Sequence, residues 1–97
     1  MKTFDEIREI LSQYKLIVQE KYQVKEIGIF GSYVRGEQNE DSDLDVLIDF
    51  EQAPSLLKFI ELENYLSDTI GFKVDLVMKR VLKPRIAKNI LAEVIYL

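Results

Sequence analysis

Two short stretches, IFGSYVRG at residues 29–36 and SDLDVLIDF at residues 42–50, dominate the interpretation of this chain. The first leads from an apolar segment into a glycine-serine turn. The second carries Asp43 and Asp45 at the entry to another apolar segment. Two strands joined through a turn that bears polar groups are therefore predicted. The pattern leaves open whether the strands pair antiparallel or lie side by side after a crossover.

Around these two strands, segments with the apolar spacing of helices alternate along the chain with segments typical of strands. Thr3 and Glu6 fit a capping box, and the apolar spacing after them predicts a helix from residue 4 to about 21. The other predicted elements are a strand over 24–30, a turn or short helix over 31–36, a strand over 45–50, a helix with Pro54 in its first turn that Gly71 ends, a strand over 73–78, a helix from Pro84 to about Ala92, and a strand or tail over 94–97. Because apolar residues run together inside the strands, we expect both sheet faces to be buried under helices. The fold class is therefore a small mixed α/β or α+β domain, a single domain over residues 1–97.

The composition excludes several kinds of active site. The 97 residues include neither cysteine nor histidine, which removes disulfides, structural zinc sites and the Ser-His-Asp triad. Thirteen basic and 17 acidic residues give a net charge of −4, so direct nucleic-acid binding is not expected. The apolar runs are shorter than the roughly 18–20 residues that span a bilayer. We therefore expect a cytoplasmic protein with no membrane partner.

The candidate functional residues are a glycine, a serine and three aspartates. Gly31 lets a ligand approach the backbone closely, and Ser32 offers a hydroxyl and a turn N–H to phosphate oxygens. Asp43 and Asp45 are two positions apart, so in a strand both carboxylates project to one side, as hard oxygen ligands for Mg²⁺. Asp75 stands in an apolar run, where a buried carboxylate is costly unless it is paired or bound to metal. Together these residues predict a two-metal phosphoryl-transfer site.

Each of these residues also has a structural explanation when it is taken alone. Gly31-Ser32 is an ordinary turn sequence. Asp43 could cap the entry to its strand, and Asp45 could pair with Arg35. Asp75 could belong to a buried ion pair. The basic stretch that follows, made of Lys79, Arg80, Lys83, Arg85 and Lys88, either meets a triphosphate or an acidic partner, or is a solvated helix face.

The spacing Gly31-Ser32-x10-Asp43-x-Asp45, with Arg35-Gly36 inside the gap, resembles the motif of minimal nucleotidyltransferases of the polymerase-β superfamily. Small proteins of this kind look similar to the antitoxins of HEPN/MNT toxin–antitoxin pairs. The resemblance implies an enzyme that uses Mg-ATP to transfer AMP to a tyrosine of a HEPN-type toxin. It also implies a polymerase-β-like nucleotidyltransferase core.

The same resemblance implies a role for each residue of the motif. Gly31 and Ser32 would hold the triphosphate of ATP, and Arg35 would pair with phosphate or with a neighbouring carboxylate. Two Mg²⁺ ions would be held by Asp43 and Asp45, with Asp75 completing the metal site and helping to activate the incoming hydroxyl. Larger relatives carry an added substrate-binding domain that is missing here, so we expect the acceptor to be a partner protein in a hetero-oligomer. Two alternatives are a non-catalytic antitoxin that covers its partner, and the catalytic subunit of a small-molecule nucleotidyltransferase.

Overall fold

The computed structural model describes residues 2–97, and its first element is a long amphipathic helix. This helix, α1, spans Phe4–Tyr22 and begins after Thr3, whose side chain forms a capping box with Glu6. It ends at Gln23, which adopts the left-handed conformation with φ 57°. One face of the helix is buried through Ile7, Leu11, Val18 and Tyr22. The capping box and the helix predicted for this region are confirmed.

Four strands form one mixed sheet in the order β3-β2-β1-β4. They span Val24–Phe30 (β1), Leu44–Phe50 (β2), Val74–Met78 (β3) and Ile95–Tyr96 (β4). β1 pairs antiparallel with both β2 and β4, whereas β3 runs parallel to β2. The two strands that flank the glycine-serine turn are therefore antiparallel neighbours, which decides the question that the sequence left open.

Three further helices connect and follow the strands. They are α2 (Ser32–Arg35), α3 (Leu56–Ile70) and α4 (Pro84–Glu93), with a 3₁₀ turn at Lys79–Val81 before α4. α3 begins after Ser55, whose hydroxyl accepts the N–H of Lys58, so Pro54 lies before the helix and not in its first turn. Gly71 ends α3 at φ 93°, and Pro84 stands at the start of α4. Both of these boundary predictions are confirmed.

The hydrophobic core lies between one face of the sheet and the helices α1 and α3. Its sheet side consists of alternate residues of the strands, including Ile27, Ile29, Leu44, Val46, Ile48, Phe50, Val74 and Leu76. α3 contributes Leu62, Leu66 and Ile70, whereas α4 has no buried residue. The expectation that both sheet faces are buried is wrong for β3, where Asp75 is exposed between two buried neighbours.

The outer edge of β3 is held by side chains of α3. The N–H of Val74 donates to the hydroxyl of Ser67, and the N–H of Leu76 donates to Oε2 of Glu63, both at 2.9 Å. These donors point away from β2 and would otherwise lack a sheet partner. The helix that crosses from β2 to β3 therefore also completes hydrogen bonds along the edge.

No helix within residues 2–97 is both long enough and apolar enough to cross a membrane.

Candidate active site

The sheet register gathers the predicted acidic residues at one end of the face opposite the core. Asp45 of β2 is paired with Phe30 of β1 on one side and with Asp75 of β3 on the other. Asp43 directly precedes β2, and its position two residues before Asp45 puts it on the same side of the chain. The first turn after β1 starts at Gly31. All three aspartates therefore lie near the glycine-serine turn.

Gly31 lies directly against Asp45. Its φ of 82° and ψ of −152° are values that favour glycine. A Cβ at this position would lie 2.1 Å from Oδ2 of Asp45, far inside van der Waals contact. Any other residue would therefore have to push the carboxylate aside. The first and last residues of the motif, 14 positions apart in sequence, thus share one contact.

Asp45 is a carboxylate in an unfavourable electrostatic setting. Burial is the main cause that raises the pKa of Asp45 from 3.8 to about 6, and the charges of Asp75 and Asp43 add to it. Arg35 acts in the opposite direction, and Glu93 raises the pKa further. Negative charges that repel one another in this way favour either a proton or a cation between them. The arrangement is therefore suited to a positively charged ligand.

Carboxylate oxygens are suitable ligands for a hard divalent cation, but the three aspartates do not form a complete coordination site by themselves. Among residues 2–97, no three acidic side chains lie close enough together to hold one ion by themselves. Asp43 is also drawn to Lys73, whose Nζ lies 3.7 Å from Oδ2, and both side chains are exposed. Mg²⁺ is commonly held by one or two carboxylates, with phosphate oxygens and water completing its shell. Asp45 together with either neighbouring aspartate fits that donor set.

Arg35 pairs with two glutamates and not with Asp45. Its Nη1 lies 3.0 Å from both carboxylate oxygens of Glu93, and its Nε lies 3.4 Å from Glu37. Oε1 of Glu93 also accepts the N–H of Gly31 at 2.8 Å. Sequence reasoning missed Glu93, although one signal was present: it is the single acidic residue between positions 76 and 97.

The remaining polar and aromatic residues of the motif region take different places. Ser32 begins α2 and is partly exposed at the turn. Tyr33, beside it, is buried and stacks on Phe72, with ring centroids 5.6 Å apart. The first two residues of the basic stretch, Lys79 and Arg80, form their ion pairs outside this cluster. Lys79 pairs with Glu26, and Arg80 pairs with Asp49, farther along the sheet.

Comparison with known proteins identifies the family to which this arrangement belongs. The family described as "Nucleotidyltransferase domain" matches residues 11–97. The protein adenylyltransferase MntA of Thermococcus cleftensis is 59% identical over 96 residues, which cover 99% of this chain and 97% of the relative. A solved structure described as a proposed minimal nucleotidyltransferase is 34% identical with a TM-score of 0.77, over 94% of this chain and 95% of that one.

A toxin–antitoxin structure shares the fold at lower identity. It contains a tri-AMPylated HEPN toxin of Shewanella oneidensis in complex with an MNT antitoxin. The TM-score is 0.71 at 16% identity, covering 93% of this chain and 70% of the other. The predictions of a mixed α/β nucleotidyltransferase core and of an enzyme are confirmed by the family match and by the relative that is 59% identical. The chain belongs to the nucleotidyltransferase domain family, among relatives of the MntA type.

Proposed function

We propose that this protein is a Mg²⁺-dependent protein adenylyltransferase that transfers AMP from ATP to a tyrosine of a HEPN-type toxin, and so acts as its antitoxin. One observation carries the proposal: Gly31 lies against Asp45, so the turn and the aspartates border the same space. A relative at 59% identity is named a protein adenylyltransferase, which favours a protein as the acceptor.

In this proposal the motif residues divide the work between binding and charge. Gly31, Ser32 and Arg35 bind the triphosphate, and Mg²⁺ would be held by Asp45 with its neighbours Asp43 and Asp75, while phosphate oxygens and water complete its shell. When bound, the cations would supply positive charge to offset the negative charge on the attacking and leaving oxygens. The tyrosine hydroxyl attacks the α-phosphorus, and pyrophosphate leaves. Asp75 is exposed on the edge strand, so an incoming hydroxyl can reach it to transfer its proton.

An exposed apolar surface supports a protein partner. Leu56 and Leu57 at the start of α3 are 73% and 79% exposed, and Val81 of the 3₁₀ turn is 70% exposed. A groove of about 520 Å³ runs beside Leu56 and Val81, lined mainly by apolar side chains that include Phe59 and Met78. Contiguous apolar surface of this kind is typical of sites that another protein covers. It is consistent with a hetero-oligomer formed with the toxin.

The test measures the intact mass of a co-expressed HEPN-type partner after incubation with Mg-ATP and this chain. The wild type is compared with the Asp43→Asn/Asp45→Asn variant. Asp49→Asn serves as a control on the same strand, since Asp49 pairs with Arg80 at 3.2 Å. We expect the partner to gain one or more AMP units with the wild type and the control, and none with the double variant.

The same preparation separates the proposal from its alternatives. If the double variant gives the same mass gain, the assignment of Asp43 and Asp45 as metal ligands is wrong. If the wild type adds no AMP but still inhibits the partner as a stable complex, the protein is a binding antitoxin. If ATP is consumed only when a small-molecule acceptor is added, the acceptor assignment is wrong while the reaction class stands.

A further inference from the structure

Glu93 makes contacts that the proposed reaction does not explain. One carboxylate oxygen accepts the N–H of Gly31 at 2.8 Å, and both oxygens lie 3.0 Å from Nη1 of Arg35. Its side chain is only 27% exposed. A largely covered carboxylate near Asp45 adds negative charge there, and it contributes to the raised pKa of Asp45. The cost of this added negative charge suggests that Glu93 makes a favourable contribution elsewhere in the site.

The contacts of Glu93 join three separate elements at one point. Ile29 of β1 pairs with Ile95 of β4, and extending this antiparallel register by two residues sets Gly31 opposite Glu93. Glu93 is the last residue of α4. Its carboxylate therefore supplies the acceptor that a longer β4 would have offered to Gly31. Through the same carboxylate, the end of α4 is tied to Arg35 at the end of α2.

The geometry favours a supporting role over competition with phosphate. The Gly31 N–H that Glu93 accepts lies in line with the β1–β4 ladder, so it continues the sheet. The contacts of Arg35 with Glu93 and Glu37 use Nη1 and Nε, and neither uses Nη2. The guanidinium is thus oriented while part of it stays available to a ligand. An arginine that is already oriented loses less conformational entropy when it binds phosphate.

We propose that Glu93 is a positioning residue of the nucleotide site, which fixes the glycine-serine turn and the Arg35 side chain without touching the phosphates. This inference rests on the proposed function, because it requires Arg35 to bind the triphosphate of ATP. Removing Glu93 should then weaken nucleotide binding even though it removes a negative charge from an anion site. That direction is opposite to what simple charge repulsion predicts.

The experiment measures the Kd of the Mg²⁺ complex of α,β-methylene-ATP by calorimetry, with melting curves as a check of folding. Glu93→Ala should raise Kd by about 5- to 10-fold, as for the loss of a coupled contact. Glu93→Gln should raise it less, because an amide oxygen can still accept the Gly31 N–H. The double variant with Arg35→Ala should lose less affinity than the two single losses combined predict, because part of the Glu93 effect acts through Arg35. Glu26→Gln, which removes the same charge next to Lys79, should leave Kd unchanged.

The outcomes separate this inference from the function on which it rests. Tighter binding by Glu93→Ala would make Glu93 a competitor of phosphate and overturn the proposal. An unchanged Kd with a lower melting temperature would make its role purely structural, and additive losses with Arg35→Ala would show that it does not act through Arg35. With the partner present, KM for ATP should rise while kcat changes less than about twofold. If the wild type itself fails to bind the analogue, the proposed function falls as well.

Discussion

Replacing Asp45 with asparagine is expected to stabilise the metal-free protein. Asp45 is partly buried beside Asp75 and Asp43, and its pKa is raised to about 6. Ionised Asp45 is therefore the less stable form in the folded state. Asparagine has nearly the same shape and carries no charge. The substitution removes the repulsion and, in the proposed function, also removes a metal ligand.

The size of the effect follows from the pKa. The difference between 3.8 and about 6 corresponds to about 3 kcal/mol at roughly 1.4 kcal/mol for each pKa unit. Because Asp45 is partly exposed, solvent screening reduces this to about 1–1.5 kcal/mol of free energy of unfolding. For a domain of this size, the melting temperature should then rise by about 5–10 °C.

The sign of the pH dependence is fixed by the raised pKa. Above about pH 6, Asp45 is ionised in the folded and unfolded states, so the full gain of Asp45→Asn is present. As the pH falls toward 3.8, the wild type takes up a proton on folding, and the gain disappears. Thermal melts in EDTA at pH 8 and at pH 4 measure both limits. Asp49→Asn is the control, since Asp49 is paired with Arg80 and should show no gain.

Three results would refute this reasoning. The first is a melting temperature of Asp45→Asn at pH 8 that equals or falls below that of the wild type. The second is a gain that persists unchanged at pH 4, since it would then come from packing and not from charge. The third is equal stabilisation of the wild type and the variant by added Mg²⁺. We expect Mg²⁺ to stabilise the wild type more, and equal stabilisation would show that Asp45 does not contribute to cation binding.

Two further pairs of substitutions, each with its control, test the turn and the core. Gly31→Ala should cost about 1–3 kcal/mol, because φ 82° and ψ −152° are nearly restricted to glycine, and should abolish AMP transfer, because the new Cβ displaces the Asp45 carboxylate. Gly71→Ala, at φ 93° in open space, should lower the melting temperature without loss of transfer; equal loss in both variants would contradict the contact argument. Leu66→Ala should cost about 2–5 kcal/mol in urea unfolding, because Leu66 is fully buried. Leu57→Ala, 79% exposed, should stay within about 0.5 kcal/mol, and a cost as large as that of Leu66→Ala would place Leu57 in the core.

The helices and strands could be predicted because their signals are local. The capping box at Thr3, the left-handed glycine at Gly71 and the proline at the start of α4 each act within one turn of chain. The start of α3 was placed too early for the same reason. Pro54 and Ser55 are both helix-start signals, and the hydroxyl of Ser55, which accepts the N–H of Lys58, sets the boundary.

Two features of the site could not be predicted from the sequence because they depend on the order of strands in the sheet. Asp75 was expected to be buried because its neighbours are apolar, but β3 is an edge strand and its second face is open. Glu93 lies 62 positions after Gly31 and meets it only because β4 returns to pair with β1. No local pattern contains either fact. The motif predicted which residues belong together, and the assignment of Asp43, Asp45 and Asp75 as metal ligands remains a prediction.

The hydrogen bonds that backbone N–H groups of β3 donate to the side chains of Ser67 and Glu63 limit how other chains can approach this protein. An edge strand with free N–H groups invites an intruding strand, which leads to strand exchange or to aggregation at high concentration. Here two donors are already engaged by α3, so an added strand would first have to evict a carboxylate and a hydroxyl. A partner strand that meets this edge therefore finds two backbone donors occupied, which disfavours strand addition between copies of this protein.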